Sequence, residues 1–134
     1  MKRHPALLQL SREHHTALKL ALDCRKAALA GQQEALDNLC AKVSHLFASE
    51  LEPHFCQEEE SLLPELAAVG ERELVAQTLQ EHAQLRSLAQ RVSQGDRAAL
   101  EAFSAALTEH VRFEERELFE RAQHYPAFAA PDPS

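Results

Sequence analysis

Apolar residues recur every three or four positions along two stretches of the chain, and a histidine and a glutamate interrupt each of them. This period is that of the buried face of an α-helix. The first stripe consists of Leu36, Cys40, Val43, Phe47, Leu51, His54, Glu58 and Leu62. The second consists of Leu100, Phe103, Leu107, His110, Glu114 and Leu118. The pattern predicts two helices that each carry an imidazole and a carboxylate into the core.

Glycine divides the chain into four predicted helices. Gly31 and Gly95 lie where helices should end, because glycine adopts the left-handed conformation of a C-cap at little cost. The expected helices cover, in chain order, about 11–30, 33–61, 71–93 and 96–123. Short links make successive helices antiparallel neighbours, so the predicted fold is an all-α, up-down-up-down four-helix bundle. We expect a single domain with an ordered core of about 6–124 and a frayed tail over 125–134.

Local signals refine three of the helix boundaries. Ser11 is a plausible N-cap for the first helix. Pro53 lies inside the second helix and should distort it just before His54, because proline removes a backbone donor. Pro64 should end that helix, since the residue before a proline avoids the helical conformation. A loop over 62–70 is expected to follow.

Composition and charge limit the classes of partner. The formal net charge of −7 argues against nucleic acid and against an anionic membrane surface. No apolar run approaches the roughly 20 residues of a membrane span, and the first residues lack the apolar core of a signal peptide. The three cysteines form no close pair typical of a zinc or redox motif. We therefore expect a cytoplasmic protein that is a monomer or a weak homodimer.

The interrupted stripes suggest a bound cation. His54 and Glu58, like His110 and Glu114, are four residues apart, so each pair shares one face of its helix about 6 Å apart along the axis. Burying an unpaired carboxylate costs several kcal/mol or more. A metal ion would compensate both carboxylates, and one centre could use both pairs.

The first and third helices add one histidine each. His15 precedes Leu18 by three residues, as His82 precedes Leu85, which gives an internal repeat of one helix with a histidine followed by one with His-x-x-x-Glu. This alignment favours His15 over the adjacent His14, which remains the alternative. The repeat predicts four imidazoles and two carboxylates at one level of the bundle.

With these residues in place, the chain resembles the hemerythrin-like proteins, which carry a histidine-histidine-glutamate cation-binding domain. The resemblance runs from about Leu10 to Arg121 and rests on four segments: His15-x-x-Leu18, His54-Phe55-Cys56-Gln57-Glu58-Glu59, Glu81-His82-x-x-Leu85-Arg86 and His110-Val111-Arg112-Phe113-Glu114-Glu115. It implies two non-haem irons bridged by two carboxylates and an oxo or hydroxo group. The implied metal ligands are His15, His54, Glu58, His82, His110 and Glu114. Mixed nitrogen and oxygen ligands suit iron, with manganese or zinc as substitutes.

The resemblance also implies a function, and two departures modify it. Oxygen-carrying hemerythrins have a second histidine one turn after the third-helix ligand, where this chain has Arg86. Their last carboxylate is an aspartate with a spacing one residue longer than that from His110 to Glu114. The chain therefore looks more like family members that bind, sense or process dioxygen, nitric oxide or a related small ligand. Catalytic turnover does not follow from these residues.

Two alternatives to a ligand-binding protein stay open at the level of sequence. One is iron storage, iron donation or iron-sulfur cluster repair, which the same set of ligands could serve. The other is a metal-free helical interaction protein whose buried histidines and glutamates pair with one another.

The surroundings of the site also carry expectations. Five apolar residues should exclude bulk water from it, namely Phe47, Leu51, Phe55, Leu107 and Phe113. Glu59 and Glu115 fall off the apolar stripes and are expected on a solvated acidic surface. Glu50, one turn before His54, could reach the site.

Overall fold

Four long helices make up most of the chain. The computed structural model describes residues 3–129. Helix α1 is Pro5–Ala30 and helix α3 is Arg72–Ser93. Helix α2 covers 33–68 and helix α4 covers 98–122, and both contain wider π-helical turns. Their segments are Gln33–Leu46, Phe47–Leu51 (π), Glu52–Gln57, Glu58–Leu62 (π) and Leu63–Ala68 in α2, and Ala98–Phe113, Glu114–Leu118 (π) and Phe119–Ala122 in α4.

The helices pack in the ring order α1–α2–α3–α4, and α4 closes the ring against α1. The predicted all-α four-helix bundle is therefore confirmed. Gly31 and Gly95 have φ angles of 68° and 86°, which is the left-handed conformation expected of them. After Gly95, the Asp96 side chain accepts a hydrogen bond from the backbone N–H of Ala99 at 3.3 Å and so caps the start of α4.

Helix α1 begins earlier than expected, and the prediction of Ser11 as its N-cap is wrong. His4 caps the helix instead, because its Nδ1 accepts a hydrogen bond from the backbone N–H of Ala6 at 3.1 Å. Pro5 occupies the first helical position, where its missing N–H is not needed. Ser11 lies inside the helix, and its hydroxyl donates to Glu115 Oε2 at 2.6 Å.

The two prolines of α2 are both accommodated by wide turns. Pro53 follows the π turn Phe47–Leu51, so the distortion expected near His54 takes this form. Pro64 follows the π turn Glu58–Leu62, and the helix continues to Ala68. A wide turn relieves the clash of a proline ring with the preceding turn. The expected break before Pro64 and the loop over 62–70 are therefore wrong.

Two apolar clusters fill the bundle, and a polar layer separates them. The upper apolar cluster surrounds Leu20, Val43, Leu85 and Phe103, and the lower apolar cluster surrounds Leu10, Leu62, Leu66 and Phe119. Each helix passes from one cluster to the other and carries a buried histidine between them. The histidines therefore meet at one level of the bundle.

The segment after α4 is only partly as expected. Pro126–Phe128 form a short 3₁₀ turn, and Phe128 is buried in the lower apolar cluster with its ring 5.9 Å from that of His4. The part of the expected frayed tail from 125 to 129 thus packs on the bundle. The rest of it, residues 130–134, lies outside the described residues. Among the described residues, no helix has the length and apolar character that crossing a bilayer demands.

Candidate metal centre

Six side chains from all four helices converge in the polar layer. Helices α1 and α3 contribute one histidine each, and α2 and α4 contribute one histidine and one glutamate each. All six are 4 % exposed or less: His14, His54, Glu58, His82, His110 and Glu114. We refer to these six residues as the His/Glu cluster. Five of them are among the site residues predicted from sequence.

The sixth position corrects the sequence interpretation, because the structure places His14 in the cluster and His15 on the exposed surface of α1. The buried face of α1 continues from His14 through Ala17, whereas Leu18 is 41 % exposed. Aligning His15-x-x-Leu18 with His82-x-x-Leu85 therefore shifted the register by one residue. The buried face of α1 contains alanines such as Ala17 and Ala21, whereas Leu18 and Leu22 are exposed. Hydrophobicity therefore indicated the wrong face of this helix.

A longer repeat in the sequence would have identified His14. Gln9-x-x-x-Glu13-His14 on α1 has the same pattern as Gln77-x-x-x-Glu81-His82 on α3. The two glutamines make equivalent contacts, since each donates its side-chain N–H to the glutamate four residues later, at 3.1 Å and 2.9 Å. The two segments are therefore equivalent in structure as well as in sequence.

The Nε2 atoms of all four histidines point to the two buried carboxylates. Glu114 lies 2.8 Å from Nε2 of His14 and 3.1 Å from that of His110. Glu58 lies 3.0 Å from Nε2 of His82 and 3.3 Å from that of His54. Longer approaches of 3.6 Å and 3.7 Å join Glu114 to His54 and His82. Both carboxylates therefore lie between histidines of different helices.

Four of these inner atoms are fully buried and make no well-oriented hydrogen bond, although the nitrogens of His54 and His110 lie 3.3 Å and 3.1 Å from a carboxylate oxygen on their own helix. They are Nε2 of His54, Nε2 of His110, Oε2 of Glu58 and Oε2 of Glu114. Unsatisfied buried polar atoms are rare, because each costs about 1–3 kcal/mol or more. Four of them in one layer point to a ligand that fills their coordination, and alternating nitrogen and oxygen donors are suited to a cation.

The donor atoms fall into two sets, each compact enough for one ion. His14 and His54 form one set with both glutamates, and His82 and His110 form the other with the same glutamates. Within each set the ligand atoms lie within 4.8 Å of one another. Two ligand atoms about 2.1 Å from one ion are about 3 Å apart when they subtend a right angle. The residues present therefore fit a pair of metal ions with shared carboxylates.

Each histidine also contacts an outer carboxylate through its Nδ1 atom. The four pairs are His14 with Glu115 at 2.7 Å, His54 with Glu13 at 2.8 Å, His82 with Glu59 at 2.7 Å and His110 with Glu81 at 2.7 Å. An ionised carboxylate only accepts hydrogen bonds, so Nδ1–H donates, and a ring that gives up its other proton to a metal ion presents the lone pair of Nε2 to the cluster. Such outer carboxylates orient histidine ligands in metal sites.

Sequence reasoning missed these outer carboxylates. Glu59 and Glu115 were expected on a solvated acidic surface, yet they hold His82 and His14. Glu50, which was expected to be able to reach the site, is exposed. The sequence signal is that an outer glutamate adjoins a cluster residue on every helix, as Glu59 adjoins Glu58. Helical periodicity does not reveal it, because each outer carboxylate contacts a histidine of the neighbouring helix.

Arginines secure two of the outer carboxylates. Arg86 donates to Glu59 at 2.8 Å and to Glu52 at 2.7 Å, and its guanidinium lies 5.6 Å from the ring centroid of Phe55. Phe55 stacks on His82, with centroids 4.1 Å apart. The position at which oxygen carriers have an additional histidine thus holds an arginine that ties α3 to α2.

A similar arrangement occurs on the opposite side of the cluster. Arg3 donates to Glu115 at 2.6 Å, and Ser11 donates to the other oxygen of the same carboxylate. The Arg3 guanidinium lies 5.7 Å from the ring centroid of Phe119, which stacks on His14 with centroids 5.5 Å apart. Burial works to raise the pKa of Glu115, but the hydrogen bonds from His14, Ser11 and Arg3 lower it to about 2.

The cluster itself has strongly perturbed pKa values. Burial and the charge of Glu114 raise the pKa of Glu58. Burial also works to raise the pKa of Glu114, but contacts with His110 and other histidines hold it well below its usual range. Burial works to lower the histidine pKa values, yet the two glutamates raise that of His54 to about 11, His110 to about 10 and His82 to about 9. Without a cation, the cluster therefore retains protons that a metal ion would displace.

A small cavity adjoins the cluster on the side of α1, α2 and α4. Its volume is about 10 Å³, which is near the minimum needed to hold one water molecule. Glu13, His54 and His110 are among its polar lining residues. The apolar part of the wall consists of Ala17, Leu51, Phe55, Leu107 and Val111.

Three of the five residues expected to exclude water from the site, Leu51, Phe55 and Leu107, line this cavity. Phe47 packs behind Phe55, with centroids 5.8 Å apart, and Phe113 belongs to the lower apolar cluster.

Comparison with known proteins agrees with this geometry. The family model of the hemerythrin HHE cation-binding domain matches residues 6–122. Neither the curated proteins nor the solved structures include a significant match to the chain. The matched region contains every residue of the His/Glu cluster and all four outer carboxylates.

Proposed function

Because the chain belongs to the hemerythrin family, we propose that it binds two iron ions side by side in the His/Glu cluster and uses them to take up a small ligand. One ion is held by His14 and His54, and the other by His82 and His110. Glu58 and Glu114 are shared between the two. Manganese or zinc could substitute, since the donor atoms do not exclude either metal.

The four unsatisfied buried atoms carry this proposal. In a metal-free interaction protein, two imidazole nitrogens and two carboxylate oxygens buried without well-oriented hydrogen bonds would lower the stability of the fold and bring no compensating gain. A pair of cations satisfies all four and compensates the charge of two carboxylates that are 0 % exposed. No cysteine belongs to either donor set among the described residues, and the sulfur of Cys56, on the same helix as His54, lies 3.5 Å from Glu52. The set of nitrogen and oxygen donors favours iron over a structural zinc site.

The small ligand is dioxygen, nitric oxide or a molecule of similar size. A reduced iron pair held by these residues would supply an electron-rich centre able to bind such a ligand. The surrounding chain selects for size, because the cavity beside His54 and His110 holds only a few atoms. Its apolar wall also excludes bulk water, and its small volume keeps larger molecules away from the cluster. These features support a binding or sensing role.

Iron content and the optical spectrum test this proposal. Protein purified anaerobically from iron-supplemented cells should contain about two irons per chain, and exposure to air should add near-ultraviolet absorption. Glu58→Gln should lower the iron content, whereas Glu60→Gln, two residues away and exposed, should not. Folded protein that contains no iron and cannot be reconstituted with it would refute the proposal. Steady turnover of peroxide, or transfer of iron to an acceptor protein, would instead favour the enzymatic or iron-donating alternatives.

A further inference from the structure

Two of the outer carboxylates occupy equivalent positions in the internal repeat. Glu13 accepts a hydrogen bond from His54 Nδ1 at 2.8 Å, and Glu81 accepts one from His110 Nδ1 at 2.7 Å. Each is also held by a glutamine of its own helix, and neither is paired with an arginine side chain in the described part of the chain. By their direct contacts alone, the two residues should behave alike.

Their surroundings differ in one respect. Glu13 lines the cavity beside the cluster, and its side chain is 34 % exposed, so one residue faces both solvent and the interior. The same cavity is lined by His54 and His110, whose Nε2 atoms are buried without a partner. Glu81 instead lines a groove on the outer face of α3, among Gln77, Gln80 and Gln84.

The other two outer carboxylates are held more tightly. Arg86 makes hydrogen bonds with both oxygens of Glu59, at 2.8 Å and 3.2 Å. Arg3 and Ser11 occupy the two oxygens of Glu115. Moving either carboxylate would break charge-assisted hydrogen bonds, which are about twice as strong as neutral ones. Glu13 is held on its outer oxygen only by the neutral amide of Gln9.

We propose that Glu13 is the access carboxylate through which metal ions reach the His/Glu cluster from solvent. This inference rests on the proposed metal-binding function and adds the route. A cation approaching between α1 and α2 meets the exposed oxygen of Glu13 first. Rotation of that side chain breaks its hydrogen bonds with Gln9 and His54 but no ion pair with an arginine, and it opens the cavity that His54 and His110 line. The negative charge at this mouth attracts cations and repels anions.

The decisive experiment compares Glu13→Gln with Glu81→Gln in the full-length chain. Glutamine keeps an oxygen that accepts the Nδ1–H hydrogen bond, so each variant loses charge and retains shape. Metal-free protein is mixed with Co²⁺ in a stopped-flow instrument, and its visible absorption bands are followed. Loss of one carboxylate charge at the mouth should slow loading roughly five- to tenfold in Glu13→Gln. Glu81→Gln weakens the hold on His110 as Glu13→Gln weakens the hold on His54, so any loss of affinity is common to both variants, and Glu81→Gln should load cobalt several-fold faster than Glu13→Gln.

For an anionic probe, Glu13→Gln should change the association rate in the opposite direction. This second measurement distinguishes the loss of charge from a general loosening of the bundle, which would speed up both ions. Azide association with the iron-loaded protein should be several-fold faster in Glu13→Gln than in wild type and than in Glu81→Gln. If Glu13→Gln accelerated both cobalt and azide, local opening would explain the data and the inference would be wrong. Equal loading rates in the two variants at full cobalt content would also overturn it, while leaving the metal site intact. Wild-type protein that binds no cobalt or iron would overturn the proposed function itself and this route with it.

Discussion

The ring of His82 lies nearly flat against the ring of Phe55, with centroids 4.1 Å apart and planes 14° from parallel. The Arg86 guanidinium also lies 5.6 Å from the centroid of Phe55 and donates to Glu59, which in turn accepts a hydrogen bond from His82. The orientation of one inner histidine thus depends on an aromatic ring outside the His/Glu cluster.

Phe55→Leu should therefore affect both stability and metal affinity. We expect a loss of about 1–2 kcal/mol in the free energy of unfolding, since the side chain is buried and the stacked pair is lost. Metal affinity should fall about tenfold, as with other residues that orient a ligand. Urea unfolding and cobalt titration measure the two effects. Phe47→Leu is the control, because it removes a neighbouring aromatic ring that stacks on no histidine, and equal affinities in the two variants would contradict the prediction.

His14 and His15 are adjacent, and their replacement distinguishes the structural assignment from the sequence-based one. His14→Ala should lower metal affinity at least tenfold and reduce the iron content towards one ion per chain, because one of the two donor sets loses an imidazole. His15→Ala should leave both quantities unchanged, since that ring is exposed. The iron content of each variant, measured after dialysis, tests this prediction. If His15→Ala lost iron and His14→Ala did not, the metal ligand on α1 would be His15 and the structural assignment would be wrong.

The cavity beside the cluster owes part of its space to Ala17, where the equivalent residue of the repeat is Leu85. Ala17→Leu should fill a volume of about 10 Å³ and force small rearrangements. We expect iron content to stay near the wild-type value while azide binding weakens at least tenfold, measured by optical titration. Leu85→Ala, which enlarges the opposite side of the core, should cost about 2–5 kcal/mol in stability without blocking azide. Unchanged azide affinity in Ala17→Leu would show that the ligand binds elsewhere.

Removal of metal should make stability depend on pH. The folded pKa values of His54, His110 and His82 lie at about 11, 10 and 9, above the ordinary value of 6.5. Between these limits the folded chain binds more protons than the unfolded chain, so stability falls as pH rises. Thermal unfolding of chelator-treated protein should show a melting temperature that decreases from about pH 7 to pH 11. The metal-loaded protein should show a much flatter profile, because its histidines are already neutral, and identical profiles would refute the prediction.

Much of the fold follows from the sequence, and the errors have local physical causes. The stripes through His54 and His110 and the glycine caps at Gly31 and Gly95 predicted the bundle correctly, because helical periodicity and left-handed caps are local properties. The prediction that Pro64 ends the helix was wrong, because the wide turn Glu58–Leu62 before it accommodates the ring, and the rule for residues that precede a proline does not foresee such a turn.

The candidate site was predictable where its residues lie on apolar stripes. His14 was missed in favour of His15 because the buried face of α1 is built partly from alanine, and exposed leucines offered a competing stripe. The roles of the outer carboxylates Glu13 and Glu81 were missed, because the histidines that they contact are on other helices. Contacts between helices require the packed structure.

The contacts between histidines and outer carboxylates also form a closed cycle around the bundle. Glu13 of α1 reaches α2, Glu59 of α2 reaches α3, Glu81 of α3 reaches α4, and Glu115 of α4 returns to α1. Every helix gives one carboxylate and receives one. Sliding any single helix along its axis by one turn, about 5.4 Å, would separate two of the four pairs at once. The polar layer therefore sets the axial register of all four helices. The upper and lower apolar clusters could not fix this register by themselves, because apolar contacts depend little on direction.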